Sequence, residues 1–209
     1  MLVTFVIILL GFALWAFFWP KFPQKLALQV YSTPQAQVFL DDKEVGKTPY
    51  QNPNVGKAEA ILRLVASSAA WVGGVKLTPG TISVVNRELN ENPLLGAGEI
   101  ISLEGGRGLF VYSIPDEAQV EVDGKKLGLT PLLKEDLPPG EHRVVISKED
   151  HVSRAIKIKT HPNYKVVLSV QLSLSKEKFA ELTGSTASAK LVTKQARILS
   201  TPTGFFESP

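Results

Sequence analysis

Two hydrophobic patterns divide the chain. Residues Met1 to Trp19 read MLVTFVIILLGFALWAFFW; 17 of these 19 are hydrophobic and none is charged. A helix lying on a core shows one apolar stripe, whereas a run that is apolar all round predicts full immersion. At ~1.5 Å per residue the run would be about 28 Å long, close to a hydrocarbon core of ~30 Å. Trp15, Phe17, Phe18 and Trp19 cluster at one end, where an aromatic belt would sit. Pro20 and Pro23 stop a helix, and Lys21 returns the chain to water. A cleaved signal peptide calls for a charged leading segment and a small-x-small site before Pro20, and the sequence has neither. Residues 1–20 therefore read as an uncleaved single transmembrane anchor.

After Pro23 the period becomes two. In Tyr164–Leu174, Val166, Leu168, Val170, Leu172 and Leu174 share one face and polar residues take most of the other. That alternation predicts a half-buried strand. Ile156 and Ile158 alternate with Lys157 and Lys159 in the same way. Short apolar runs recur at Leu26–Tyr31, Ala36–Leu40, Ala60–Val65, Trp71–Leu77, Ile82–Val85, Ile100–Leu103, Leu109–Tyr112, Gln119–Val122 and Arg143–Ser147. Turn residues such as Pro79-Gly80, Asn92-Pro93, Asp123-Gly124 and Pro139-Gly140 separate them. Many short strands at this spacing predict an all-β fold of antiparallel β-sandwiches. Lys176–Leu182 has room for two helical turns, and Thr183–Ser188 has the composition of a flexible linker.

The β region repeats. Ala36–Pro49, AQVFLDDKEVGKTP, and Ala118–Pro131, AQVEVDGKKLGLTP, are identical at 8 of 14 positions at an offset of 82. Each predicts a strand, a tight turn at Asp41-Asp42 or Asp123-Gly124, a return strand ending at Gly46 or Gly128, and a Thr-Pro redirection.

Both copies resemble PEGA domains, a bacterial surface-layer-type β-sandwich module. In the second copy the resemblance rests on Ser113, Pro115, Ala118, Val120, Val122, Asp123, Gly124, Gly128, Thr130, Pro131, Pro139 and Gly140. Departures are Glu117 in place of the usual glycine, and Asp150-His151 in place of the usual Gly-Tyr. The first copy departs further. It lacks Pro-Gly at Val55-Gly56 and has apparent extra strands between Trp71 and Leu103. The resemblance implies two PEGA-like sandwich domains, 24–106 (divergent, with an insertion) and 108–175. Residues 176–209 read as a flexible tail or the start of a further domain, because Leu199–Phe205 resembles the opening strand of a bacterial Src-homology-3-like domain.

Composition adds limits. Without Cys, no disulfide framework or thiolate site exists. The net charge of +3 says little, because residues 22–175 hold 17 basic and 17 acidic residues. A neutral body argues against duplex binding. His142, His151 and His161 lack metal-ligand spacing. The carboxylate pairs Asp41-Asp42, Asp116-Glu117, Glu135-Asp136 and Glu149-Asp150 are sequence neighbours, which point apart on a strand. A weak calcium site at Asp116, Glu117 and Asp123 and an aromatic platform of Tyr31, Tyr50, Tyr112 and Trp71 are the remaining candidates, each set against a plain turn or core role. Gly105–Gly108 lacks the Lys-Ser/Thr of a phosphate loop.

The sequence predicts no catalytic, cofactor-binding or metal residue, and no enzyme. Its leading reading is a non-catalytic structural or binding protein of the bacterial cell envelope. It would be held in the lipid bilayer by residues 1–19 with its body outside the cytoplasmic membrane. Expected partners are a cell-wall or surface polysaccharide or another envelope protein, and not nucleic acid. Lys21 and Lys25 favour a cytoplasm-facing adaptor instead. An envelope hydrolase is the third reading.

Overall fold

The computed structural model describes residues 25–184. The expected anchor and the segment resembling a Src-homology-3-like strand lie outside these residues. Among the described residues no helix is long and apolar enough to cross a membrane.

The described chain is all-β, with fifteen strands and one helix. The first unit holds β1 (Ala27–Thr33), β2 (Gln37–Leu40), β3 (Lys43–Lys47), β4 (Tyr50–Asn52), β5 (Glu59–Val65), β6 (Ala70–Lys76) and β7 (Ile82–Glu88). A 3-10 turn at Pro93–Leu95 leads to β8 (Ala97–Gly105). The second unit holds β9 (Leu109–Ile114), β10 (Gln119–Val122), β11 (Lys125–Leu129), β12 (Leu132–Lys134), β13 (Gly140–Ser147), β14 (Arg154–Thr160) and β15 (Tyr164–Gln171). Helix α1 (Lys176–Gly184) follows and buries no residue.

Three sheets form. One has seven strands, in the order β12-β9-β15-β8-β7-β1-β4. Two have four, β3-β2-β5-β6 and β11-β10-β13-β14. The four-stranded sheets are antiparallel throughout. The seven-stranded sheet is mixed, which corrects the expectation of purely antiparallel sandwiches. In it β1 pairs parallel with β7, and β9 parallel with β15. Parallel neighbours cannot be joined by a hairpin. Here the whole intervening four-stranded sheet makes each connection.

Residues 71–103, expected to be an insertion of extra strands, supply β6 and β7, which occupy the places of β14 and β15. Only β8 has no counterpart. It pairs antiparallel with β7 on one side and β15 on the other, so both units share one sheet.

Side-chain alternation then fixes the layers. Val85 lies opposite Ile100, and Leu168 opposite Ile101. Val85 belongs to the first core with Leu28, Val30, Leu62 and Leu64; Leu168 belongs to the second with Val111, Val144, Ile146 and Val166. Ile100 packs on the first core, while Ile101 and Leu103 pack on the second. Adjacent residues of one strand point to opposite faces. The two four-stranded sheets therefore cover opposite faces of the seven-stranded sheet, each over its own half.

Candidate functional site

The repeated motif builds the same hydroxyl chain twice. Ala118 N–H donates to Thr130 Oγ1 at 3.0 Å, Thr130 Oγ1 and Ser113 Oγ are 2.6 Å apart, and Ser113 Oγ donates to the Pro115 carbonyl at 2.6 Å. In the first unit Ala36, Thr48, Ser32 and Pro34 make the same series, at 3.0, 2.7 and 2.8 Å. Asp41 and Asp123 cap the turns after β2 and β10. Their Oδ1 atoms accept from Ile61 N and Arg143 N at 2.9 and 2.8 Å. These repeated contacts tie each Thr-Pro turn and each aspartate turn to the neighbouring strands.

The histidines also go to structure. His142 Nδ1 lies 2.7 Å from Asp123 Oδ2, and its Nε2 lies 2.8 Å from the Pro138 carbonyl. His151 Nδ1 faces the Glu149 carbonyl at 2.8 Å. His161 stacks edge-on with Tyr164 at 6.4 Å. Asp116, Glu117 and Asp123 do not converge. Lys148 Nζ bonds the Asp116 and Glu117 carbonyls, while Asp123 turns to His142 and Arg143. Among the described residues no group of three His, Cys, Asp or Glu is placed to hold a metal ion.

The four candidate aromatics are dispersed. Tyr50 sits opposite Val30 and packs on the first core. Tyr31 and Tyr112 lie on opposite faces of the seven-stranded sheet, since each alternates with inward residues of its own unit. Trp71, on β6, is the one that lines a cleft.

That cleft lies where the first unit meets β8 and β15. It encloses about 140 Å³ and is lined by Trp71, Val72, Arg87, Leu89, Pro93 and Gln171, among others. Arg87 is 4% exposed and points inward from β7, with its Cζ 4.5 Å from the Trp71 ring. Gly98 makes room for it, because a Cβ there would overlap the Asn86 carbonyl and the Arg87 side chain, and its φ is +152°. Gly73 makes room for the indole, which lies where its Cβ would be.

Residues 107–177 match the PEGA domain family. The PEGA match covers 71 of the 209 residues and spans β9 to β15. It leaves out β8, Trp71 and Arg87, so the cleft lies mostly outside the PEGA match, which contributes Gln171 to its lining. No curated protein shows significant similarity to the chain.

Trp71 stands out in the sequence as a candidate aromatic, whereas Arg87 and Gln171 carry no role there. A signal was present: Ser83, Val85 and Arg87 share one parity of β7, so a charge on the buried face could have been noticed.

Burial lowers the Arg87 guanidinium below its ordinary value, and the nearby Arg154 adds to this. The charges of Glu99 and Glu88 oppose the shift. The group stays charged at neutral pH, as arginines do.

Proposed function

We propose that the chain is a non-catalytic, membrane-anchored protein of the bacterial envelope that displays two tandem PEGA-like sandwiches outside the cytoplasmic membrane. The observation that carries this reading is the duplication: the hydroxyl chain, the aspartate-capped turn and the strand order of the matched segment all recur in residues 27–88. Residues 1–20 would anchor the pair, and the tail would lead toward a Src-homology-3-like wall-binding domain. The cysteine-free sequence makes placement easy to test. A Ser68→Cys variant puts a lone thiol on an exposed loop. Labelling by a membrane-impermeant maleimide in intact spheroplasts supports the reading. Labelling only after lysis overturns it.

Lys21 and Lys25 favour a second reading, a cytoplasm-facing adaptor. It predicts the opposite labelling result. The outward-facing reading expects a cell-wall or surface polysaccharide or another envelope protein as partner, and the cytoplasm-facing reading a membrane complex.

A further inference from the structure

The two units differ at one set of equivalent positions. Trp71 lies opposite Leu64, as Arg154 lies opposite Ile146. Arg87 lies opposite Ser32, as Val170 lies opposite Ser113. The next residues along, Glu88 and Gln171, are therefore equivalent too. In the second unit, Arg154 donates to Glu88 Oε1 at 2.8 Å and to Glu99. That site is closed by its own ion pairs. In the first unit, Trp71 replaces the arginine, and the neutral Gln171 stands where the carboxylate of Glu88 would.

Arg87 takes the place of a core valine, yet no carboxylate among the described residues pairs with it. Its hydrogen bond goes to Gln171 Oε1, and its Nε has no partner. Gln171 is pinned in that orientation because its amide donates to the Pro93 and Gly96 carbonyls, each at 3.3 Å. The two nearest glutamates, Glu88 and Glu99, are engaged elsewhere. Both alternate to the other face of the sheet, where Asn86 and Arg154 hold Glu99 and Arg154 holds Glu88, although Glu88 also lines the cleft. Buried charges are ordinarily paired. The Trp71 ring supplies a π face but no counter-charge.

We propose that this cleft binds a carboxylate, seated on Arg87, with a short apolar body against Trp71, Val72 and Leu89. The volume suits such a ligand, since a void of ~150 Å³ holds a benzene-sized molecule. The guanidinium fork matches a carboxylate in geometry. The carboxylate belongs to a small free acid or to a peptide C-terminus. A peptide would also find β6, an edge strand whose outer side pairs with no strand among the described residues.

The test titrates the full chain with N-acetyl-alanine, its amide and inorganic phosphate. The readout is the Trp71 indole N–H resonance, identified by its loss in Trp71→Phe. The acid should shift it saturably, and the amide and phosphate at least tenfold more weakly. Arg87→Gln should weaken the acid at least tenfold, and Arg87→Lys, which keeps the charge but loses the fork, several-fold. The acid should also raise the wild-type melting temperature where the amide does not, a readout that needs no variant to fold. Acid and amide acting alike, phosphate binding as well as the acid, or an undiminished shift in Arg87→Gln would each overturn the proposal. N-acetyl-trialanine binding more tightly than N-acetyl-alanine supports a peptide C-terminus as the source. Equal binding supports a free acid.

Discussion

A hydroxyl carries one proton, and that limit orders the bonds at each Thr-Pro. Ser113 spends its proton on the Pro115 carbonyl, so the proton between Ser113 and Thr130 must come from Thr130. Thr130 Oγ1 is then the acceptor for Ala118 N–H. Valine keeps the shape of threonine but strands that buried N–H. Thr130→Val should therefore cost about 1–3 kcal/mol, read from urea unfolding midpoints. Thr48→Val should cost a similar amount, and the pair should add to within ~0.5 kcal/mol because the sites share no contacts. A second residue-scale prediction concerns pH. Burial pulls the His142 imidazolium down, but its bonds to Asp123 and the Pro138 carbonyl outweigh this and leave its pKa raised. A raised histidine contributes stability in full below its ordinary value of ~6.5, and loses it as pH rises through the folded value. The bond from His142, then that from Arg143 N–H, holds Asp123 below the usual carboxylate range. That contribution is present above the ordinary carboxylate value and is lost as pH falls through the folded one. A proton NMR titration should find His142 above 6.5, and Asp123→Asn should move it down. In urea, His142→Asn should flatten the loss of stability that sets in as pH rises past about 6.5.

At the scale of elements, β8 explains most of what differs from expectation. Its Ile100-Ile101 pair breaks the alternation that marks a half-buried strand, because the two side chains enter different cores. Ile100→Ala should loosen the first unit and Ile101→Ala the second, each by roughly 1–3 kcal/mol, since both are only partly buried. Amide exchange should separate the two effects, with faster exchange in β2 and β5 for the first variant and in β10 and β13 for the second. Gly98→Ala should cost about 1–3 kcal/mol through overlap with β7, whereas Gly105→Ala, with open space around it, should not. The strands with clean period two, β14 and β15, were legible in the sequence because one face of each meets a core and the other meets solvent or polar neighbours. So was the hairpin motif, whose aspartates and glycines have few other uses. The three-residue strands β4 and β12 were not, being too short to show a period. Strand partners were not legible either. Alternation reports which face is buried but not which neighbour runs parallel, so β1 beside β7 could not be read from either strand alone. The cleft was half legible: Trp71 stood out as an aromatic and the parity of β7 put Arg87 on the buried face, but its neighbours Ser32 and Gly98 come from strands whose pairing the sequence does not reveal.

At the scale of the molecule, the continuous sheet makes the boundary of the PEGA match a physical question. The matched residues 107–177 begin after β8. Within the whole chain, β8 pairs with β15 along eight residues, from Gly98–Gln171 to Gly105–Tyr164. It also lends Ile101 and Leu103 to the second core. A fragment of residues 107–177 therefore loses a full ladder and leaves β15 as an edge strand, with Val166, Leu168 and Val170 short of neighbours. A fragment starting at Ala97 keeps all of these. Restoring two partly buried apolar side chains alone is worth at least about 2 kcal/mol, and the ladder adds to this. Fragment 97–177 should consequently unfold at a clearly higher urea concentration than fragment 107–177. The shorter fragment should also self-associate more, because β15 is exposed as an unprotected edge, free of proline and with one charge in its eight residues. Sedimentation velocity would detect that association. Equal midpoints and equal association would mean that β8 belongs energetically to the first unit alone, and that the two sandwiches touch without sharing a core strand.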